Sequence, residues 1–322
     1  MKKAVSTILL IGTLLLVIGA GLFLLALAMN AWDFRALDNS QYQTKSYEIT
    51  DEFSKISIDT TTADVLVLPG TDAHAKVISY ERVRESNEVK VTDGTLSIAL
   101  CDTRKWYDHI RLFSFTEPTL TVYLPEEEYE SLCISLTTGD ICVASALTFG
   151  EIRIDGTTGD IEEMANATEA LQIHLTTGDM QLERVDAGEI AIENTTGDIE
   201  LNQIGCSGAL TIKTTTGDIE LSDTSASALH IKGTTGEVDL VRVTVSNALT
   251  LKSTTGDVSF RALNAASIDI DISTGNVYGS VVRAMNFSAS ATTGNVRVPS
   301  SREGGLCLVK TTTGDITITV EE

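Results

Sequence analysis

The sequence predicts an all-β protein: a single-stranded β-solenoid (β-helix) of two-strand coils, each 19–20 residues long, preceded by one N-terminal transmembrane helix. Three observations predict it. A phrase built on Thr-Thr-Gly-Asp recurs ten times, with its glycine at 139, 159, 178, 197, 217, 236, 256, 275, 294 and 314, so that every gap is 19 or 20. Apolar and polar residues alternate with period two on both sides of each glycine, which is a strand pattern and excludes a helix. An uncharged apolar run fills residues 8–29, behind Lys2 and Lys3.

The run at 8–29 has 22 residues, enough for a helix to cross a ~30 Å hydrocarbon layer. Ala26-Leu27-Ala28 resembles a signal-peptide cleavage site, but the run exceeds the ~7–15 residues of a signal h-region. The reading is an uncleaved anchor: 1–7 a cytoplasmic tail, 8–29 the membrane span, everything beyond it outside the cell membrane. Residues 30–47 read as a polar tether, with Trp32 and Phe34 at the interface level.

The repeat columns say what each coil does. Counting from the glycine, position −7 holds residues such as Leu132, Ile152 and Leu171, and position −5 holds Ile134, Ile154 and Ile173. Position +2 is Ile141, Ile161, Met180 and their equivalents, and +4 is mostly Leu, Val or Ile. Polar residues lie between them: Lys213, Lys232, Lys252 and Lys310 at −4, and Glu162, Glu200 and Glu220 at +3. Each repeat is two strands joined at a Thr-Thr-Gly-Asp corner, and the segments between repeats, such as 222–228, look small and polar. Glycine suits a corner that a Cβ would resist, the Asp at +1 can accept a backbone N–H there, and the threonine hydroxyls can ladder between coils. A single coil buries too little to stand alone, so stability comes from stacking.

Residues 132–322 form the regular array. Residues 48–131 read as an irregular N-terminal section that caps it. There 56–67 matches every column with Ala63 in the glycine place, 89–100 looks like another two-strand coil around Asp93-Gly94, and 110–124 another bent at Glu117-Pro118. The chain stops just after a strand at Thr319-Val320-Glu321-Glu322, so the last coil is expected to leave an open edge suited to self-association or to a partner strand.

A net charge of −22 excludes a general nucleic-acid binder, which needs an excess of Lys and Arg. The five cysteines (101, 133, 142, 206, 307) form no disulfide framework and no Cys-x-x-Cys zinc pair. Cys133 and Cys142 flank one repeat turn and are read as two free thiols or a local bond. No residue is assigned a catalytic, cofactor-binding or metal-binding role. The column of corner aspartates could in principle ligate Ca²⁺, but one Asp and one Gly per 20 residues fits turn capping better. Carboxylates are everywhere and periodic, whereas a catalytic pair should break the period. His74, His109, His174 and His230 form no constellation. The run 81–90 reads as a solvated hairpin tip, and Arg104-Lys105-Trp106-Tyr107 as a cluster that contacts headgroups, wall or a partner, or packs in the cap. The sequons at Asn166, Asn194 and Asn286 matter only in a eukaryotic secretory setting.

The units such as Thr216-Gly217-Asp218-Ile219, the lead-in at 53–67, Val-Thr-Asp-Gly-Thr-Leu at 91–96 and the strand at 120–125 ending in Pro resemble the bacterial family called domain of unknown function 4097, labelled "putative adhesin". The resemblance covers nearly all of 48–322 and departs from the pattern at Asn276 and Asn295, where Asp is lost. It implies the repeat fold and carries over no catalytic residues; some relatives look like anchored accessory proteins of envelope stress. The function expected is therefore a membrane-anchored, extracytoplasmic scaffold or adhesin of the cell envelope. The alternatives are an accessory or sensor subunit binding a membrane partner and, last, a carbohydrate-active enzyme. Expected partners are the membrane, through 8–29, and an envelope protein or cell-wall polymer.

Overall fold

The computed structural model describes residues 2–29, 41–102 and 117–321. Helix α1 (Lys2–Met29) comes first and every later element is a strand. Among the described residues no helix is long and apolar enough to cross a membrane.

Beyond the helix the chain winds as a parallel β-solenoid. Each regular coil has a long strand, such as Asp186–Thr196 or Gly205–Thr216, then the glycine corner, then a short strand, such as Ile199–Asn202 or Ile219–Ser222. Like strands of neighbouring coils pair in parallel and in register: Ile190↔Leu210 and Ile192↔Ile212 on the long sheet, Ile199↔Ile219 and Leu201↔Leu221 on the short one. The predicted columns at −7, −5, +2 and +4 point inward and form one continuous core. The linking segments are less polar than expected. The long strands extend back through them, burying Ala167, Ala187, Cys206, Ala226 and Val245, while Val185, Ile204, Thr224, Val243 and Leu263 close the coil on the other side.

A second corner, six residues after the glycine, was not legible. There Arg184, Gln203, Asp223, Arg242 and Ala262 adopt left-handed conformations with φ of 48–56°. None is the Gly or Asn that normally marks such a position. The turn is held by the ladder instead: Arg184 N–H donates to Asn202 O at 2.9 Å and Gln203 N–H to Ser222 O at 3.0 Å.

The order of stacking differs from the order of sequence at both ends. The N-terminal section contains β1 (Tyr42–Ile49), β2 (Lys55–Thr62), β3 (Asp64–Pro69), β4 (Ala75–Arg82), β5 (Glu85–Thr92), β6 (Thr95–Asp102) and β7 (Thr119–Leu124). Together β2 and β3 make the degenerate coil around Ala63, which lies directly on the Gly139 coil. β6 and β7 make a further coil outside it. Residues 89–100 are thus not a coil of their own. They form an antiparallel hairpin about Asp93-Gly94, with φ of 51° and 72°, and only its second strand joins the solenoid. Antiparallel strands then close this end, β5 on β6, β4 on β7 and β1 on β4. β1 takes up the last residues of the stretch read as a tether. The bend at Glu117-Pro118 lies at the edge of the described residues, and Trp32, Phe34, Arg104, Lys105, Trp106, Tyr107 and His109 lie outside them.

At the other end Leu306–Thr313 pairs with the Gly275 coil on one side and with Asn286–Thr293 on the other. Likewise Ile316–Val320 lies between Val277–Val281 and Val296–Arg297. The Gly314 coil is therefore inserted between the Gly275 and Gly294 coils. The Gly314 coil, expected from 319–322 to end the stack, is not its last: Val296–Arg297 covers Ile316 and Thr317, while Thr319 and Val320 pair on one side only, with Ser280 and Val281. Among the described residues the outer edge of the stack belongs to Asn286–Thr293 and Val296–Arg297. Burial explains the exchange. The Gly314 coil brings Cys307, Val309, Ile316 and Ile318, all at most 3% exposed, into the core, whereas the inward residues of the Gly294 coil include the small Ala289 and Ala291 beside Phe287 and Val296. Gly305 permits the insertion, since a Cβ there would lie 1.7 Å from Ala266 O.

All ten corner glycines have φ between 130° and 147°. A Cβ on any of them would lie 1.9–2.2 Å from a carbonyl oxygen of the adjacent corner. Gly233, one turn position away from a corner, has no such constraint: the nearest atom to a Cβ there is Ser253 Oγ at 3.5 Å. Gly217→Ala should therefore cost more than about 3 kcal/mol, while Gly233→Ala should be neutral or stabilising by up to about 1 kcal/mol. Urea titration of the two variants checks this, and equal effects would contradict the corner assignment.

Candidate functional site

Three features of the solenoid are chemically distinct enough to consider: the corner column, the polar interior of the cap, and the open end. The corner column is a hydrogen-bond ladder. The backbone N–H at +1 finds no carbonyl in the neighbouring coil, and the side chain of that coil's corner residue takes its place. Asp160 N–H donates to Asp140 Oδ1, Asp179 N–H to Asp160 Oδ1, Asp198 N–H to Asp179 Oδ1 and Asp218 N–H to Asp198 Oδ1, each at 2.8 Å. Asn276 serves equally well, accepting from Asp315 N–H at 2.9 Å, so the corner needs the Oδ1 acceptor and not the charge. The capping role expected of the Asp is thus real, though it caps the next coil and not its own. Among the described residues no group of three or more His, Cys, Asp or Glu side chains could hold a metal ion. The paired threonines before each glycine stand exposed and in register, and no hydroxyl-to-hydroxyl bond joins them among the described residues.

The cap contradicts the solvated hairpin tip expected at 81–90. Glu81, Arg82, Glu85 and Asn87 are buried, and only Val83, Arg84, Glu88 and Lys90 are exposed. Glu81 is 1% exposed and fully engaged. Lys45 Nζ lies 2.7 Å from Oε1, and Ser79 Oγ and Asn87 N–H donate to Oε2 at 2.8 and 2.7 Å. The bond to Glu81 holds the Lys45 ammonium above its ordinary pKa. A raised lysine contributes stability at all pH below its ordinary value and loses it only as pH rises through the folded one. Arg82 pairs with Glu85 at 3.1 Å and lies over the Tyr42 ring, which stacks on Tyr80. The charged groups of this network are paired with one another, while Asn87 Oδ1 is buried without a hydrogen-bond partner among the described residues; its chemistry is structural. No sequence signal distinguishes it, because these charges lack the repeat's period.

The remaining candidates are placed as follows. His74, His174 and His230 are exposed and far apart in the coils; His174 Nδ1 lies 3.6 Å from Glu193. The −4 column carries Glu193, Lys213, Lys232, Lys252 and Asp271 in register, an outward face with acids at both ends of a lysine stripe. All five cysteines are free, including Cys133 and Cys142. Burial pushes the Cys307 thiol up to about 12, while Cys101 is exposed. The sequon residue Asn194 is buried, its Nδ2 donating to Gly178 O and Gly197 O, which removes it as an acceptor for modification.

The geometry defines a class: a parallel β-solenoid with a closed end, an open end and no catalytic constellation among its described residues. The chain belongs to the Toastrack DUF4097 family, whose model matches residues 53–248 and 242–322. No curated protein matches it. Among solved structures it is similar to a "putative adhesin" from Bacteroides fragilis NCTC 9343, with 18% identity, 87% of this chain and 97% of that one covered, and a TM-score of 0.37. It is also similar to a "putative adhesin" from Parabacteroides merdae ATCC 43184, with 12% identity, 88% and 98% coverage and a TM-score of 0.44. A "putative lipid binding protein" from Parabacteroides distasonis ATCC 8503 matches with 12% identity, 88% and 98% coverage and a TM-score of 0.43. None of these superpositions is close enough to inform the function of this chain.

Two outcomes follow from the ladder and the cap. Among the described residues and within the stack, Glu237 is the corner residue whose side chain takes no N–H from the next coil, and it is one methylene longer than the Asp found at most other corners. Glu237→Asp should complete the ladder and raise stability by about 1 kcal/mol, read as a higher urea midpoint. Glu81→Ala strands the Ser79 hydroxyl, the Asn87 N–H and the Lys45 ammonium, and should cost about 3 kcal/mol. The loss should show as faster amide exchange in β1 and β4, with the regular coils unchanged.

Proposed function

We propose that this chain is a membrane-anchored rod of the bacterial cell envelope, a non-enzymatic scaffold or adhesin whose solenoid stands outside the cell membrane. One observation carries the reading. The chain enters the solenoid through β1 at the closed end, so its N-terminal side meets the stack at the end away from the Gly294 coil. Ten regular coils and two degenerate ones at ~4.8 Å each give a rod roughly 55 Å long. Such a rod displays its last coil well clear of an anchor at its base.

The anchor itself is supported by the uncharged run at 8–29, which as a helix would be about 33 Å long. It is also supported by the helix surface, where Leu14 and Leu16 are 55% and 73% exposed. A cytoplasmic N-terminus follows from Lys2 and Lys3 ahead of the run. The free backbone edge at the open end also favours a second reading, an accessory or sensor subunit that recruits a membrane partner. Copurification of a membrane protein, lost when Arg297 and Arg302 are both changed to Glu, would favour that reading over adhesion.

Cys101 is a native topology probe. A membrane-impermeant maleimide should label it in intact cells, and Cys206 and Cys307 should react only after unfolding. Deleting 8–29 should release the chain from alkali-washed membranes. Labelling that appears only after lysis would overturn the extracytoplasmic placement.

A further inference from the structure

The two ends of the rod differ in a way that points to a partner. At the closed end, antiparallel strands cover the outermost coil. At the other end, among the described residues, nothing pairs with the outer side of Asn286–Thr293 or Val296–Arg297. Inward-facing Phe287, Ala289 and Ala291 are only partly buried, and Val296 is 39% exposed. Their counterparts in the Gly314 coil, Cys307, Val309 and Ile316, are at most 1% exposed.

Charge sets this end apart as well. Residues 282–305 hold three arginines against one glutamate, in a chain of net charge −22. Arg283 is exposed and engaged, its Nη2 donating to Ala265 O at 2.9 Å. Arg297 and Arg302 are exposed and make no ion pair among the described residues. The corner ladder also ends unfinished. Asn295 donates its N–H to Asp315 Oδ1 at 2.7 Å, but no further coil supplies an N–H to its own Oδ1.

We propose that the Gly294 coil is a docking edge for an extended acidic polypeptide segment. The segment's backbone continues the ladder on Asn286–Thr293, its alternate apolar side chains cover Phe287 and Ala289, and its carboxylates meet Arg297 and Arg302. Asn295 Oδ1 takes an N–H where the segment passes the corner. Gly294 O sits where each corner oxygen excludes a Cβ from the next coil, so a segment running through the corner needs glycine there. A second copy of this chain fits poorly. Two open ends would oppose arginine to arginine, and the other end of the rod is already covered. The proposal holds whether or not the helix anchors the chain.

The full chain in detergent micelles, mixed with a labelled alternating Val-Glu peptide that carries one central Gly for the corner, tests this, with Val-Thr and Val-Lys peptides of the same design as comparisons. Only the Val-Glu peptide should bind, and it should slow amide exchange in 286–297. The double variant Arg297→Glu, Arg302→Glu should weaken binding about tenfold or more. Should that variant not fold, the unmodified chain's affinity must fall with added salt to give the same support. The proposal is overturned by any of four results: no binding, affinity indifferent to both charge reversal and salt, protection on the Lys213–Lys232–Lys252 face instead, or a concentration-dependent dimer that protects 286–297 without peptide.

Discussion

The close approach of successive corner backbones governs this molecule. At each corner the space a Cβ would need is filled by the carbonyl oxygen of the adjacent corner, at 1.9–2.2 Å. Only glycine, at φ near 140°, meets that demand. Once the corners stack, the strands on either side are locked in register, because a slip of one residue would turn every inward aliphatic outward. Register in turn builds the columns of Ile, Leu and Val whose burial stabilises the stack. The Asp at +1 completes the arrangement by supplying the acceptor that the kinked backbone withholds.

The corners were legible in the sequence because their constraint falls on residue identity. A carbonyl at 2 Å leaves no choice but glycine, so the letter recurs. The second corner constrains backbone conformation without excluding a Cβ, so Arg184, Gln203, Asp223, Arg242 and Ala262 share no letter, and alternation alone cannot reveal it. The stacking order was hidden for another reason. A constant spacing fixes the length of a coil but not which coil lies beside it, and the 20-residue gap from Gly294 to Gly314 resembles every other gap. What did record the exchange is the weakness of one set of columns. Ala289 stands where Ile or Val stands elsewhere, a pattern that befits a coil covered on one side only. In the cap, buried Glu81 and Arg82 read as surface residues because burial of a charge depends on partners distant in sequence, here Lys45 and Tyr42.

The contrast between the ends shows how a solenoid manages its edges. Internal coils pair their strand backbones on both sides, so the unpaired strand edges collect at the first and last coils. The closed end meets this with antiparallel strands and a buried polar network centred on Glu81, engaged by Lys45, Ser79 and Asn87. That solution is costly in desolvation and needs every partner in place. The open end uses a coil of Ser, Ala and Thr, whose small side chains lose little by partial exposure and whose arginines discourage pairing with a like end.

A periodic body also restricts where function can reside. Outward columns repeat every 19 or 20 residues, and any ligand that recognised one coil would recognise its neighbours nearly as well. Such a surface serves for length and rigidity, or for many weak equivalent contacts. A specific site requires a place where the period breaks. In the described part of this chain the breaks are the cap, whose polar groups are spent on one another, and the Gly294 coil, whose backbone edge, Asn295 oxygen and two unpaired arginines are not. The same insertion that places the more apolar Gly314 coil in the core leaves those groups at the far end of the rod. The need to bury Val309 and Ile316 thus sets which residues the molecule presents.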